Sequence, residues 1–106
     1  ERITMPMLHT VNKSPFERRT LDTALRHAVK GAAILLIEDG VYAAFDGTVV
    51  ADKVKAALAD HKVYVLGPDV TARGMSEHHV IDGLEVVDYG GFVDLVVEYD
   101  KVQSWL

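Results

Sequence analysis

The chain contains no cysteine. This excludes a disulfide framework, thiolate-ligated zinc, an iron–sulfur cluster and a cysteine nucleophile within it. The redox compartment is left open, because a protein without thiols fits either environment. No apolar run approaches the roughly 18 residues of a membrane span. No basic-then-apolar leader opens the sequence either, so a cytoplasmic protein is expected. Positive charge is also scarce: 11 Lys and Arg stand against 16 Asp and Glu, a formal net charge of −5. A protein that tracks phosphate backbones or anionic membranes needs a basic face, so neither direct nucleic-acid nor membrane binding is expected.

What is present describes an ordinary globular protein. The 106 residues are 49% hydrophobic and 25% charged, which argues for one core and against disorder. A chain of this size buries roughly two thirds of its unfolded surface, enough for a core without covalent staples. Glu1–Pro6 lacks an initiator Met and reads as an appended or disordered start, with Met7 as the natural first residue. Residues 7–106 read as a single domain, without repeats, low-complexity segments or linkers.

Hydrophobic patterning supplies the elements. Met7–Val11 alternates and suits a strand. Ser14, Pro15 and Glu17 form a Ser-x-x-Glu capping box with proline at the first helical position. Leu21, Ala24, Leu25 and Ala28 then follow at helical spacing, and Lys30–Gly31 ends that helix. Ala32–Ile37 is continuously apolar, as expected of a strand buried on both faces in a parallel sheet. Val41–Phe45 suits one helical turn, and Val49–His61 suits a second helix carrying Ala51, Val54, Ala57 and Leu58 on one side. Lys62–Leu66 reads as a third strand, Val70–Arg73 as a short helix closed by Gly74, and Leu84–Asp88 as a fourth strand. Phe92, Val96 and Tyr99 share a face of a last helix. The tail ends on Trp105 and Leu106, and an indole there is expected to dock on its own domain or at a subunit interface. The alternation predicts a three-layer α/β/α domain with a mostly parallel four- or five-stranded sheet.

Ligands of such sheets lie beyond the C-terminal strand ends. Here these are Asn12–Ser14, Glu38–Gly40, Gly67–Asp69 and Asp88–Gly90, and none forms a dinucleotide or P-loop motif. A phospho-receiver domain would need an acidic pair after the first strand, which Asn12-Lys13-Ser14 does not supply. Glu38, Asp39 and Asp88 are the carboxylates able to meet at one edge, as a Mg²⁺ site or an acid–base pair. Capping of turns and helices is the plainer role for Asp39 and Asp88. His9, His27, His61, His78 and His79 lack the spacing of a metal site, since adjacent residues such as His78 and His79 point apart on a strand. His9 reads as a satisfied half-buried strand residue and His27 as solvated. Ser14, Ser76 and Ser104 lack a nucleophile-elbow context, and Arg18–Arg19 reads as a solvated basic pair. No cofactor is expected.

Longer strings carry a resemblance. Met7-Leu8-His9-Thr10-Val11-Asn12-Lys13-Ser14-Pro15-Phe16 resembles the opening of the DsrH/TusB family of sulfur-relay proteins. So, in order and at fitting spacing, do Leu35–Ala44 with Gly47, Val63–Val70 with Ala72-Arg73-Gly74, Val87-Asp88-Tyr89 with Phe92-Val93, and Trp105. The resemblance covers nearly the whole chain from Met7. It implies a DsrEFH-like fold and a cytoplasmic subunit that joins DsrE/TusD-like and DsrF/TusC-like partners in a dimer of heterotrimers. Such complexes pass persulfide sulfur to a DsrC/TusE-like carrier, for 2-thiouridine at the tRNA wobble position or for dissimilatory sulfur oxidation. The strings Asn12–Phe16 and Leu66–Asp69 lie somewhat nearer the sulfur-oxidiser branch.

The sulfur-carrying cysteine of these complexes lies on the DsrE/TusD subunit. Some DsrH-like members also have a cysteine on the first helix, at the position of Ala24 here. A methyl group forms no persulfide, so the resemblance implies a non-catalytic, structural subunit. Candidate interface residues are Asp39, Val41, Tyr42, Phe45, Trp105 and Leu106. Two other readings compete. One is a free-standing homo-oligomeric module binding a small anion near Ser14 or Gly90–Gly91. The other is an enzyme using Glu38, Asp39 or Asp88. Homo-oligomers of the isolated chain fit the first reading as well.

Overall fold

A computed structural model describes residues 7–99 and 101–106. The expected appended or disordered start, Glu1–Pro6, lies outside the described residues. The elements are β1 (Met7–Val11), α1 (Thr20–His27), β2 (Ala33–Leu36), a 3-10 helix (Glu38–Ala44), α2 (Ala51–Ala57), β3 (Lys62–Leu66), α3 (Gly67–Ala72), β4 (Glu85–Val87), α4 (Tyr89–Glu98) and β5 (Lys101–Trp105). All strand pairs are parallel, in the order β4-β3-β2-β1-β5.

That order explains the layers. From β1 to β4 the chain steps in one direction across the sheet, so right-handed crossovers place every connection on the same face. The return from β4 to β5, beyond β1, runs the other way and sends α4 to the opposite face. The larger core accordingly joins Val11, Ile34, Leu36, Val63 and Val65 of the sheet to α1, α2, the 3-10 helix and Val70 of α3. The smaller core holds Leu8, Ala33, Leu35 and Tyr64 under Leu95 and Tyr99 of α4. Alternate residues of β2 serve the two cores, and all four are buried, as its continuous apolar run requires.

Three local expectations are corrected. Ser14 is not a helix cap: its hydroxyl accepts from Phe16 N–H at 3.2 Å, while its carbonyl accepts from Glu17 and Arg18. This local turn uses the capping groups, so α1 begins only at Thr20, with no side-chain cap. The second helix is shorter than Val49–His61, ending at Ala57. In α4 the inward residues are Leu95 and Tyr99 with Phe92 beside them, while Val96 turns outward. The tail is itself the fifth strand, in register from Met7 opposite Lys101 to Val11 opposite Trp105.

Candidate functional site

The strand ends form a polar network in which only Asn12 Oδ1, among the described residues, is buried without a partner. After β2 the chain turns so tightly that a Cβ on Gly40 would lie 2.0 Å from the carbonyl oxygen of Val11. Only glycine permits this approach. Glu38, just before it, has φ +51°, an uncommon conformation for a residue with a side chain. Two contacts hold it: its N–H donates to Asp69 Oδ2 at 2.6 Å, and its carboxylate accepts from Asn12 Nδ2 at 2.9 Å. Arg73 Nε donates to Asp39 Oδ1 at 2.8 Å, and its Nη1 lies 4.0 Å from Asp69 Oδ1. The bond from Asp39 leads the causes that raise the guanidinium pKa above its ordinary value. Asp88 instead caps α4, accepting from Gly91 N–H at 2.8 Å.

The carboxylates of the proposed acid–base site are thus engaged in holding turns. Of the donors near the expected anion site, Gly91 N–H is bonded to Asp88 and the amides of Phe16, Glu17 and Arg18 fold back on Ser14. Among the described residues no group of three His, Asp or Glu side chains is arranged to hold a metal. A cleft of about 400 Å³ beside this network is lined by Ser14, Phe16, Glu17, Asp39 and Tyr42.

The histidines and serines are dispersed. His61 donates from Nδ1 to Ala32 O at 2.8 Å, and His27 likewise to Thr23 O at 2.8 Å. His78 meets the edge of Phe45 at 5.9 Å, while His79 lies 3.2 Å from Asp82 and 3.4 Å from Asp46. Ser76 donates to Thr71, and Ser104 accepts from Thr10, each at 3.2 Å.

Trp105 docks on its own chain. Its Nε1–H donates to Nδ1 of buried His9 at 2.9 Å, and its ring lies between those of His9 and His27, at 6.1 and 5.3 Å. The bond requires His9 to be unprotonated at Nδ1. Burial, then repulsion from His61 and His27, lowers the His9 pKa below the ordinary 6.5.

The expected interface residues separate by burial. Val41 is 0% and Phe45 2% exposed, because the 3-10 helix presses them into the larger core. Their side chains serve this chain's own packing. Asp39 and Tyr42 remain at the surface cleft, Trp105 is half-buried, and Leu106 is exposed. Ala24 is fully enclosed in the larger core, where its methyl is a packing group.

The surface that residue-by-residue reading missed is α4. Tyr89, Val93 and Val97, one helical turn apart, are 60, 59 and 78% exposed, and Val96 lies beside them. Val86 on the short edge strand β4 is exposed too. The signal was in the sequence: from Phe92 to Val97 only Asp94 interrupts the apolar residues, so the apolar arc of α4 is wider than its buried stripe. No described helix is long and apolar enough to cross a membrane.

Fold and surface together define an open, all-parallel α/β protein whose distinctive feature is an uncovered helix on one face of its sheet. Similarity to known proteins is specific. The chain belongs to the DsrH-like family, whose model, described as "DsrH like protein", matches residues 13–102. It is 39% identical over 99 residues to Protein TusB of Pectobacterium parmentieri, covering 93% of this chain and 100% of that one. It is 34% identical to Protein TusB of Escherichia coli over 99 residues, with the same coverage. Among solved structures, the ychN protein of E. coli superposes with a TM-score of 0.79 at 19% identity, covering 95% of this chain and 99% of that one. Protein MTH1491 of Methanobacterium thermoautotrophicum gives 0.71 at 13% identity, covering 94% and 99%. These two likenesses concern the fold alone.

Proposed function

We propose that this chain is a non-catalytic, structural subunit of a DsrEFH/TusBCD-type sulfur-transfer complex in the cytoplasm. Its partners are a DsrE/TusD-like and a DsrF/TusC-like subunit, joined in a dimer of heterotrimers. Membership of the DsrH-like family supports the class of complex. The observation that carries the structural role is the exposed apolar stripe of α4, Tyr89, Val93 and Val97, beside its buried face. A contiguous exposed apolar stripe of this kind is the surface a partner covers. Asp39, Tyr42 and Leu106 form a second candidate contact region at the strand ends.

The absence of any thiol assigns the persulfide to a partner's cysteine, with this chain shaping the assembly around it. The sulfur then passes to a DsrC/TusE-like carrier, on the way to tRNA 2-thiouridine or to sulfur oxidation. Co-expression with the two partner types, followed by native mass measurement, tests the proposal. A mixed hexamer containing this chain is the expected result. A homo-oligomer that ignores both partners overturns it.

A further inference from the structure

A groove of about 460 Å³ lies on the α1/α2 side of the molecule, lined by Arg19, Asp22, Leu25, Arg26 and Lys53. Three of these five side chains are cationic, on a chain whose net charge is −5. Lys53 is paired with Asp22 across the groove. Among the described residues, Arg19 and Arg26 take part in no ion pair, and both are exposed. They stand seven residues apart, two turns along one face, a rise of about 10 Å. Between them Leu25 is half-buried and packs on the larger core, providing an apolar floor.

Guanidinium groups take carboxylates in paired, geometrically matched hydrogen bonds. An extended chain of polyproline II type has three residues per turn and rises about 9 Å over that turn. Acidic residues three apart therefore project to one side at nearly the spacing of Arg19 and Arg26. An apolar residue between them meets Leu25. We propose that this groove docks an extended acidic segment of a partner protein. Elsewhere the chain's negative charge repels such a segment, which selects this groove and fixes its register. A nucleic-acid strand fits less well, since its phosphates continue at every nucleotide past the two unpaired guanidinium groups, onto a chain of net charge −5. The groove is on the opposite side of the sheet from α4 and stays open when the α4 face is covered. The proposal therefore stands independently of the sulfur-relay reading.

The test is fluorescence anisotropy of a labelled (Glu-Leu-Pro) repeat peptide with the full chain, at about 50 mM salt so that screening is weak. Saturable binding is expected. It should weaken about tenfold in Arg26→Glu or Arg19→Glu, and be lost in the double variant. A milder Arg26→Gln change, which leaves the exposed helix face polar, should give an intermediate loss. A Gln-Leu-Pro repeat should not bind. The proposal is overturned if the wild-type chain fails to bind, if the Gln peptide binds equally, or if folded charge-reversed variants retain full affinity. Tighter binding of oligouridine of equal charge would also overturn it, in favour of a nucleic-acid groove.

Discussion

The two faces of the sheet are built to different degrees of completion. On one face, α1, α2, α3 and the 3-10 helix enclose sixteen buried residues. On the other, α4 alone covers a core of six. Topology produces the inequality, because three crossovers run one way and only one returns. The well-covered face shows what this chain stabilises unaided. The thinly covered face leaves Tyr89, Val93 and Val97 of α4 in water, and it is the face that the proposed assembly would cover.

The largest expected effect lies on the complete face. Gly40→Ala should cost about 5 kcal/mol in urea denaturation, since its Cβ would collide with the Val11 carbonyl and force the turn apart. Neighbouring truncations in β2 sharpen the contrast. Ile34→Ala, beneath the complete layer, should cost about 3–4 kcal/mol. Leu35→Ala, beneath α4, should cost about 2 kcal/mol in the isolated chain, because the lone helix can settle into the void. Equal costs would break the comparison. Removing the Asp88 cap with Asp88→Ala should cost about 1 kcal/mol and fray the start of α4. The double change Val93→Asp with Val97→Asp should alter the isolated chain's stability by no more than about 0.5 kcal/mol, because both side chains are exposed. It should nevertheless abolish partner binding in a co-purification.

Acid and alkali should attack different faces. His9 on the complete side has a pKa lowered by burial and by its histidine neighbours, so the unfolded chain takes up the proton first. The stability this confers is present above the ordinary 6.5 and is lost as pH falls below it toward the folded value. The loss frees Trp105 from His9, and emission from this sole tryptophan reports it. Tyr64 and Tyr99, in the thin core, have phenol pKa values raised mainly by burial. The unfolded chain ionises first as pH rises past the ordinary 10.0, so stability falls there. Denaturation midpoints across pH, with tryptophan emission followed alongside, check both signs.

The architecture was legible because its signals are local. The apolar block Ala32–Ile37 announced a central parallel strand, and the third strand matches Lys62–Leu66 at both ends. Other features were set by distant partners. The tail's strand character depends on the edge of β1, and Val102-Gln103-Ser104 carries no strong strand pattern alone. Ser14 and Glu17 look like a capping box but close a turn earlier in the chain. The apolar string Val41–Phe45 looked like an interface, yet burial of Val41 and Phe45 depends on where the 3-10 helix lands. Conversely, α4 offered apolar residues on both faces, and topology then decided which face remained uncovered. Ordered strings across the chain carried the family resemblance, which the match over residues 13–102 establishes.

Amide hydrogen exchange of Tyr89–Glu98, in the isolated chain and in the assembly with both partner types, tests the central claim most directly. The account predicts strong added protection along α4 on assembly, with little change in the already enclosed β2. An assembly in which α4 exchanges as fast as in the isolated chain would contradict it.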